Sequence, residues 1–189
     1  MQDKEIHDLI IDNEDYLEIL NTDERWDVLY NLSPIRENIL EWYSFDENAT
    51  LLELGGEFGA LTPLYCRKVK NVVSVCENDL QKEAIEFRCR SYSGVQVITS
   101  VEEVETKFDY ITIVNPKTEV ANVFDKITKY LKDNGKIIIA CDNSLALKYF
   151  LDNDERENTI CVSKKQITDY LKNKHFDNID FYYPLPDFR

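Results

Sequence analysis

A glycine-rich turn between two apolar segments constrains this sequence more than any other feature. Leu51–Leu54 is predicted to be a buried strand, and the turn that follows, 55–59, contains three glycines. A helix is predicted at about 60–69, and a second apolar strand at 72–77 ends in Glu77. A strand, a glycine turn, a helix and a second strand ending in an acid are typical of a βαβ unit that holds a nucleoside.

The remaining periodicity extends this unit into an α/β sheet. Further strands are predicted at 95–98, 108–114, 136–140 and 178–183. Further helices are predicted at 79–91, 118–133, 145–150 and 163–174, with Asn134-Gly135 ending the second and a Ser163/Gln166 capping box opening the last. The alternation favours a doubly wound, mainly parallel sheet with helices on both faces.

The N-terminal residues are predicted to be helical and are strongly acidic. Apolar residues recur at three- and four-residue spacings over residues 1–30, and Ser33-Pro34 is typical of a further helix start. Residues 1–50 contain 14 acidic and 3 basic residues, so most of the net charge of −14 lies there. An acidic surface repels phosphate backbones, which argues against nucleic-acid binding.

Length and composition suggest one cytoplasmic domain. The 189 residues suffice for a single α/β domain, and no apolar run approaches the roughly 20 residues of a membrane span. The N-terminus has no pattern of a signal peptide. The five cysteines are scattered without a C-x-x-C pair, as expected of reduced thiols in a cytosolic protein. No His/Cys cluster with metal-ligand spacing is present, and no metal is predicted.

Charge around the turn distinguishes between two nucleoside cofactors. A nicotinamide dinucleotide needs a glycine turn that admits a pyrophosphate at a helix N-terminus. Here Glu53 precedes the turn and Glu57 lies within it, and both carboxylates would repel a pyrophosphate. S-adenosylmethionine carries a sulfonium and an ammonium and no phosphate, so the sequence favours it over a nicotinamide cofactor.

The chain also resembles a known family. Glu-x-Gly-x-x-x-Gly at 53–59, with an acid ending the next strand, is similar to motifs I and II of class I S-adenosylmethionine-dependent methyltransferases. Three further stretches resemble a bacterial subgroup often joined to glycosyltransferase domains, namely 30–38, 142–150 and 181–187. The resemblance covers about residues 25–189. It implies a methyltransferase acting on a small or glycan-related acceptor, with 1–48 as an N-terminal helical arm or lid and 49–189 as the Rossmann-like cofactor-binding domain.

The resemblance implies a set of cofactor-binding residues. It assigns Glu53, Gly55, Gly56 and Gly59, with Glu57 among them, to the methionine end of the cofactor. It assigns Glu77 and Asn78 to the ribose, Ser100 and Val101 to the adenine, and Asn115 to the vicinity of the transferred methyl group. It places Tyr30, Ser33 and Arg36 in the lid over the cofactor.

The sequence departs from the family pattern at three places. Glu57 stands where the family usually has the middle glycine of motif I. The family's long segment after Phe150 is reduced to 151–159. The family's last antiparallel strand would follow the 181–187 stretch, and the chain ends at Arg189, so we expect that strand to be missing.

No strong general base is visible, and the catalytic residues stay unassigned. Asn115, Asp142 and Asn143 are weak candidates because they follow predicted strands. The absent base, together with Glu57, motivates an alternative, a catalytically inactive methyltransferase-like module that serves binding or scaffolding. A nicotinamide-dependent dehydrogenase is a third reading. The oligomeric state and the methyl acceptor cannot be read from the residues.

Overall fold

A computed structural model describes residues 2–117, 120–146 and 161–184. The N-terminal region forms four short helices, which are α1 (Gln2–Ile11), α2 (Leu17–Thr22), α3 (Trp26–Leu32) and α4 (Asn38–Glu41), with a 3-10 turn at Pro34–Glu37. Ser33 caps that turn, because its Oγ accepts a hydrogen bond from the Ile35 amide at 3.3 Å. The prediction of a helix start at Ser33-Pro34 is therefore confirmed in the form of a 3-10 turn.

Five strands form the main sheet. They are β1 (Thr50–Leu54), β2 (Asn71–Val75), β3 (Val95–Ile98), β4 (Phe108–Val114) and β5 (Leu131–Ala140). Helices α5 (Thr62–Lys68) and α6 (Asp79–Cys89) connect the first three strands, and α7 (Val120–Ile127) lies between β4 and β5. The strand order is β3-β2-β1-β4-β5, with β1, β2 and β3 parallel. The order reverses beside β1, as in doubly wound sheets, which confirms the predicted fold class.

The structure divides into two compact units. Among the described residues, the first comprises 2–112 and 130–138, and the second comprises 113–117, 120–129, 139–146 and 161–184. Within the first unit, Asp109 of β4 fixes both neighbouring strands. Its Oδ2 accepts hydrogen bonds from the Thr50 amide at 2.9 Å, from the Thr50 hydroxyl at 2.9 Å and from Lys132 Nζ at 2.7 Å.

The predicted helix after β4 ends earlier than expected. The sequence places Leu131 and Lys132 on this helix, but the structure ends α7 at Ile127 and begins β5 at Leu131. Lys132 donates to Asp109 of β4 from this strand, and the Asn134-Gly135 pair lies within β5 and does not end a helix. The predicted cap at Thr118 lies outside the described residues.

The predicted last strand is also wrong. Residues 178–183 form no strand, and Phe181 instead packs against Lys164, whose Nζ lies 4.6 Å from the centre of the ring. In the second unit, β6 (Asp142–Asn143) and β7 (Cys161–Val162) form a small parallel pair that the sequence did not predict. Helix α8 (Lys164–Asn173) confirms the Ser163/Gln166 capping box. The predicted helix at 145–150 falls mostly outside the described residues.

Candidate cofactor site

The glycine turn after β1 keeps a left-handed backbone at three positions. Gly55 has φ 73° and Gly59 has φ 77°, which glycine adopts without strain. Glu57 has φ 46°, in the region that a side chain with a Cβ disfavours. At position 57 the backbone therefore has a conformation that favours glycine, although the residue there is a glutamate.

The turn folds back onto β2. The amides of Gly55 and Gly56 both donate to the Val75 carbonyl, at 3.1 and 2.9 Å. A Cβ added to Gly56 would lie 2.3 Å from Ser74 Oγ, far inside any allowed contact. Position 56 therefore needs glycine because the turn lies directly against the β2 strand.

A buried carboxylate lies against the turn. Glu53 of β1 is 4% exposed, and its Oε2 accepts hydrogen bonds from Thr62 Oγ1 at 2.6 Å and from Ser74 Oγ at 2.7 Å. The same oxygen would lie 3.3 Å from a Cβ on Gly56. Glu53 thus connects β1, β2 and the start of α5 through side-chain hydrogen bonds.

Burial changes the charge of Glu53. Desolvation raises the pKa of this carboxyl to about 7, and the hydrogen bonds from Thr62 and Ser74 offset only part of the shift. The negative charge of Glu57 adds to the increase. Near neutral pH, Glu53 is therefore present in both its neutral and its ionised form. The sequence alone suggests a fully ionised carboxylate.

Tyr65 of α5 is close enough to Glu53 and to Arg36 of the N-terminal region to be influenced by both charges. Its side chain is fully buried, and its hydroxyl interacts with the side chain of Thr112. Burial raises the pKa of Tyr65, the charge of Glu53 raises it further, and the positive charge of Arg36 opposes both. These residues, with Thr62 and Ser74, form what we call the buried polar cluster.

Arg36 is the unusual member of this cluster. Only 7% of the residue is exposed, and its guanidinium carbon lies 3.7 Å from the centre of the Tyr30 ring. Nε and Nη1 are buried without a hydrogen-bond partner in the part of the chain that is described. Ser33 caps the 3-10 turn that carries Arg36. The structure thus brings together Tyr30, Ser33 and Arg36 and leaves buried guanidinium donors available for an anion.

The other predicted cofactor residues of the first unit follow the ends of adjacent parallel strands. Leu54, Val75 and Ile98 are paired in register at the ends of β1, β2 and β3. Glu77 lies two residues beyond Val75 and is exposed, and Ser100 lies two residues beyond Ile98. The glycine turn, Glu77 and Ser100 therefore leave the sheet along one edge, where ligands bind in folds of this type.

Asn78, Ser100 and Val101 have local structural roles at this edge. Asn78 is the N-cap of α6, and its Oδ1 accepts from the Gln81 amide at 3.0 Å. Ser100 caps the 3-10 turn Val101–Glu103 in a capping box with Glu103. Val101 is half-buried as the first residue of that turn. Their predicted contacts with ribose and adenine stay predictions.

The N-terminal helices pack against the glycine turn itself. Phe58 of the turn is 5% exposed and belongs to a hydrophobic cluster with residues of α1, α3 and α6, which are Ile6, Ile10, Val28, Leu32 and Ala84. The Asn78 side chain also donates to Asp3 Oδ2 at 3.3 Å, and His7 Nε2 lies 3.0 Å from Glu83 Oε2. Phe58 therefore fixes the position of the turn relative to the helical arm.

The three weak catalytic candidates belong to the second unit. Asn115 follows β4 with φ 55°, and its amide donates to the Ala140 carbonyl at 2.8 Å. β5 stops at Ala140, where the predicted strand ends, and Asp142 and Asn143 follow it and form the short strand β6. Asp142 is 5% exposed, and Asn143 Oδ1 accepts from the Leu145 amide at 3.0 Å.

Two further observations limit the chemistry of the described residues. Across the described ranges, no three His, Cys, Asp or Glu side chains come together as a possible metal site. None of the helices within those ranges has the length and apolarity that a membrane crossing requires.

Part of the buried polar cluster was not identified from the sequence. Ser74 carried a signal, because a hydroxyl interrupting the apolar run at 72–75 implies a buried partner. Tyr65 and Thr62 carried none, since helix periodicity alone does not distinguish a tyrosine with a buried hydroxyl from one with a solvated hydroxyl.

Comparisons with known proteins establish the fold. Searches with protein-family models and against curated proteins find no match to the sequence. Among solved structures, a candidate methyltransferase from Bacillus halodurans is 14% identical with a TM-score of 0.62, over 77% of this chain and 70% of that one. YjhP from E. coli is 11% identical with a TM-score of 0.62, over 93% and 73%.

A third solved structure contains a cofactor product. It is an S-adenosylmethionine-dependent methyltransferase from Thiobacillus denitrificans in complex with S-adenosylhomocysteine. It is 16% identical with a TM-score of 0.61, over 78% of this chain and 66% of that one. At these identities the likeness is one of fold, and this chain has a Rossmann-like methyltransferase fold.

Proposed function

We propose that this protein binds S-adenosylmethionine at the glycine turn and transfers its methyl group to a small or glycan-related acceptor. The observation that carries the proposal is Arg36, whose buried Nε and Nη1 lack a partner among the described residues. A buried guanidinium without an anion is costly, and the methionine carboxylate of S-adenosylmethionine is an anion of matching planar shape. The nucleoside-binding fold and the glycine turn support the same ligand.

Residues of the first unit would hold the cofactor in defined roles. Arg36, stacked on Tyr30, would bind the methionine carboxylate, and the turn at 55–59 would allow close approach of the backbone. Glu77, exposed beyond β2, would accept hydrogen bonds from the ribose hydroxyls. When bound, S-adenosylmethionine supplies an electrophilic methyl group on a sulfonium. The contribution of the protein is then mainly alignment and exclusion of water.

A dinucleotide is a poorer fit to the same turn. A pyrophosphate needs free amides at the N-terminus of the following helix. Here the Gly55 and Gly56 amides already donate to Val75, and Pro63 in the first turn of α5 has no N–H to donate. Fewer free backbone amides are therefore left to bind a pyrophosphate. The neutral nucleoside of S-adenosylmethionine does not need these donors.

Calorimetry with three ligands tests the proposal. S-adenosylhomocysteine keeps the amino-acid carboxylate of the cofactor, 5′-methylthioadenosine contains the nucleoside without it, and NAD contains a pyrophosphate. We expect the wild type to bind S-adenosylhomocysteine most tightly. In Arg36→Met we expect affinity for S-adenosylhomocysteine to fall at least about tenfold, since an ionic hydrogen bond is worth roughly 1.5–3 kcal/mol, with little change for 5′-methylthioadenosine.

Arg90→Met is the matched control. Arg90 is a half-exposed arginine that pairs with Glu14 at 2.7 Å on the surface, so its loss should leave both affinities unchanged. No binding of S-adenosylhomocysteine at millimolar concentration would overturn the proposal and favour the inactive binding module. Preferential binding of NAD would favour the dehydrogenase reading.

A further inference from the structure

Two cysteines from adjacent helices lie close together outside the proposed cofactor contacts. Cys66 is in α5 and Cys89 is the last residue of α6, and their Sγ atoms are 4.0 Å apart. Both sulfurs lie in one apolar cluster with Ile85 and Val97. A disulfide bond requires the sulfurs to approach to about 2 Å, which rotation of the two side chains and a small shift of the helices would supply.

The two thiols have different environments. Cys66 is half-buried, so a small oxidant can reach it, whereas Cys89 is only 1% exposed. The hydrogen bond shared with Cys89 lowers the pKa of Cys66, because a Cys66 thiolate would accept the S–H of Cys89, and the adjacent Arg67 charge acts in the same direction. The same bond and burial raise the pKa of Cys89. Cys66 is thus suited to react first and Cys89 to react second.

Cys76, in the same cluster, differs from both. It is buried, and its Sγ donates to the Ile98 carbonyl at 3.4 Å. Burial raises the pKa of Cys76, so its thiolate is disfavoured. Cys76 is therefore neither exposed nor readily ionised, and it is not suited to be the reactive member.

We propose that Cys66 and Cys89 are a redox modification site that closes into a reversible intramolecular disulfide when the protein meets hydrogen peroxide. The Cys66 thiolate attacks one peroxide oxygen, the O–O bond breaks, and with one proton the other oxygen leaves as water. The product is a sulfenic acid at Cys66. The Cys89 sulfur then attacks the Cys66 sulfur, an S–S bond forms, and the hydroxyl leaves as a second water with the Cys89 proton. The two thiols lose two electrons together, and the peroxide gains them.

The disulfide would join the two helices that flank the glycine turn. Thr62 of α5 donates to Glu53, and Ile85 of α6 would lie 3.1 Å from a Cβ on Gly59. A covalent link between α5 and α6 therefore restrains the residues that contact Glu53 before the turn and Gly59 at its end. It also closes a loop of roughly two dozen residues, which typically raises the melting temperature by several degrees.

Peptide mapping of the peroxide-treated protein tests the proposal. After hydrogen peroxide treatment and blocking of remaining thiols, we expect two of the five thiols to be lost and dithiothreitol to restore them. Trypsin cuts after Arg36, Arg67, Arg88 and Arg90, so the disulfide should join peptide 37–67 to the dipeptide Cys89-Arg90. A sulfinic acid at Cys66 without a link to Cys89, or a link from Cys66 to Cys76, would overturn the proposal.

Variants separate this pair from the other cysteines. Cys66→Ser and Cys89→Ser should each abolish the linked peptide and the rise in melting temperature. The double variant Cys141→Ser/Cys161→Ser, with both changes in the second unit, should retain the link. The wild-type peptide map does not depend on any variant folding, so it decides the question alone if Cys89→Ser is unstable. A link that persists in Cys66→Ser contradicts the assignment.

Discussion

Glu53 and Arg36 are two buried ionisable side chains of the same unit, and they differ in how their hydrogen-bonding atoms are satisfied. The Glu53 carboxylate receives two short hydrogen bonds, from Thr62 and Ser74. The Arg36 guanidinium, about equally buried, has no partner for Nε and Nη1 among the described residues. The hydrogen bonds of Glu53 are thus made within the fold, whereas two donors of Arg36 are left for a ligand in the proposed function. We therefore expect the Glu53 region to control stability and the Arg36 region to control binding.

The largest effect should follow from crowding the Glu53 region. In Gly56→Ala the new Cβ would lie 2.3 Å from Ser74 Oγ, so the bond from Ser74 to Glu53 has to break or the turn has to move. We expect a loss of about 4 kcal/mol in the free energy of unfolding, measured by urea denaturation. Gly55→Ala is the control, because its Cβ meets no atom within 4 Å, and its positive φ should cost only about 1 kcal/mol.

The second effect is a pH dependence due to Glu53. Its pKa is raised from 4.5 to about 7 in the folded protein, so between these values the folded state binds more protons than the unfolded state. Stability should therefore fall as pH rises through this window, by up to about 3 kcal/mol in total. In Glu53→Gln this component should disappear, as seen in urea midpoints from pH 4.5 to 7.5. Parallel pH profiles for the two proteins would show that Glu53 does not titrate in this range.

A smaller effect is expected from Arg36. Arg36→Met removes a buried guanidinium whose Nε and Nη1 have no partner among the described residues and keeps the apolar stem, so the free energy of unfolding should change by less than about 1 kcal/mol. Ser74→Ala, which removes one donor to Glu53, should cost more, about 1–3 kcal/mol. Chemical denaturation of the two variants side by side compares the regions directly. A larger loss in Arg36→Met than in Ser74→Ala would mean that Arg36 has a structural role.

The smallest effect should come from Glu57. Its φ of 46° is strained for glutamate, and glycine relieves the strain but loses more entropy on folding. We expect Glu57→Gly to be more stable by about 0.5 kcal/mol, measured by thermal denaturation. If the turn binds S-adenosylhomocysteine, this variant should bind it more tightly. Weaker binding would mean that the Glu57 side chain contacts the ligand.

Sequence reasoning succeeded where one local signal decided the outcome. The apolar runs at Val95–Ile98 and Phe108–Val114 became strands with the predicted bounds, because nothing in their flanks favours another structure. The glycine spacing also located the turn. Leu131 and Lys132 were assigned wrongly because the same residues suit a helix end and a strand start, and their place in β5 includes a contact with Asp109, which is distant in sequence.

The electrostatics of the candidate site could not be predicted in the same way. Glu53 was recognised as an acid before the turn, but its burial and its bonds to Thr62 and Ser74 depend on how three elements pack. Which nitrogens of Arg36 lack a partner among the described residues likewise depends on the position of every neighbouring acceptor. A sequence gives the type of a side chain and its local frame, whereas partners and burial come from tertiary packing.

Phe58 has a consequence for how this protein can be re-engineered or can diverge. The residue belongs to the glycine turn by sequence and to the helical arm by packing, among Ile6, Ile10, Val28 and Leu32. An arm transplanted from another protein of this fold would therefore work only if it offered an apolar cavity of the same size. The helical arm therefore cannot be exchanged independently of the turn. Substitutions at the arm residues that contact Phe58 are expected to require a matching change at position 58.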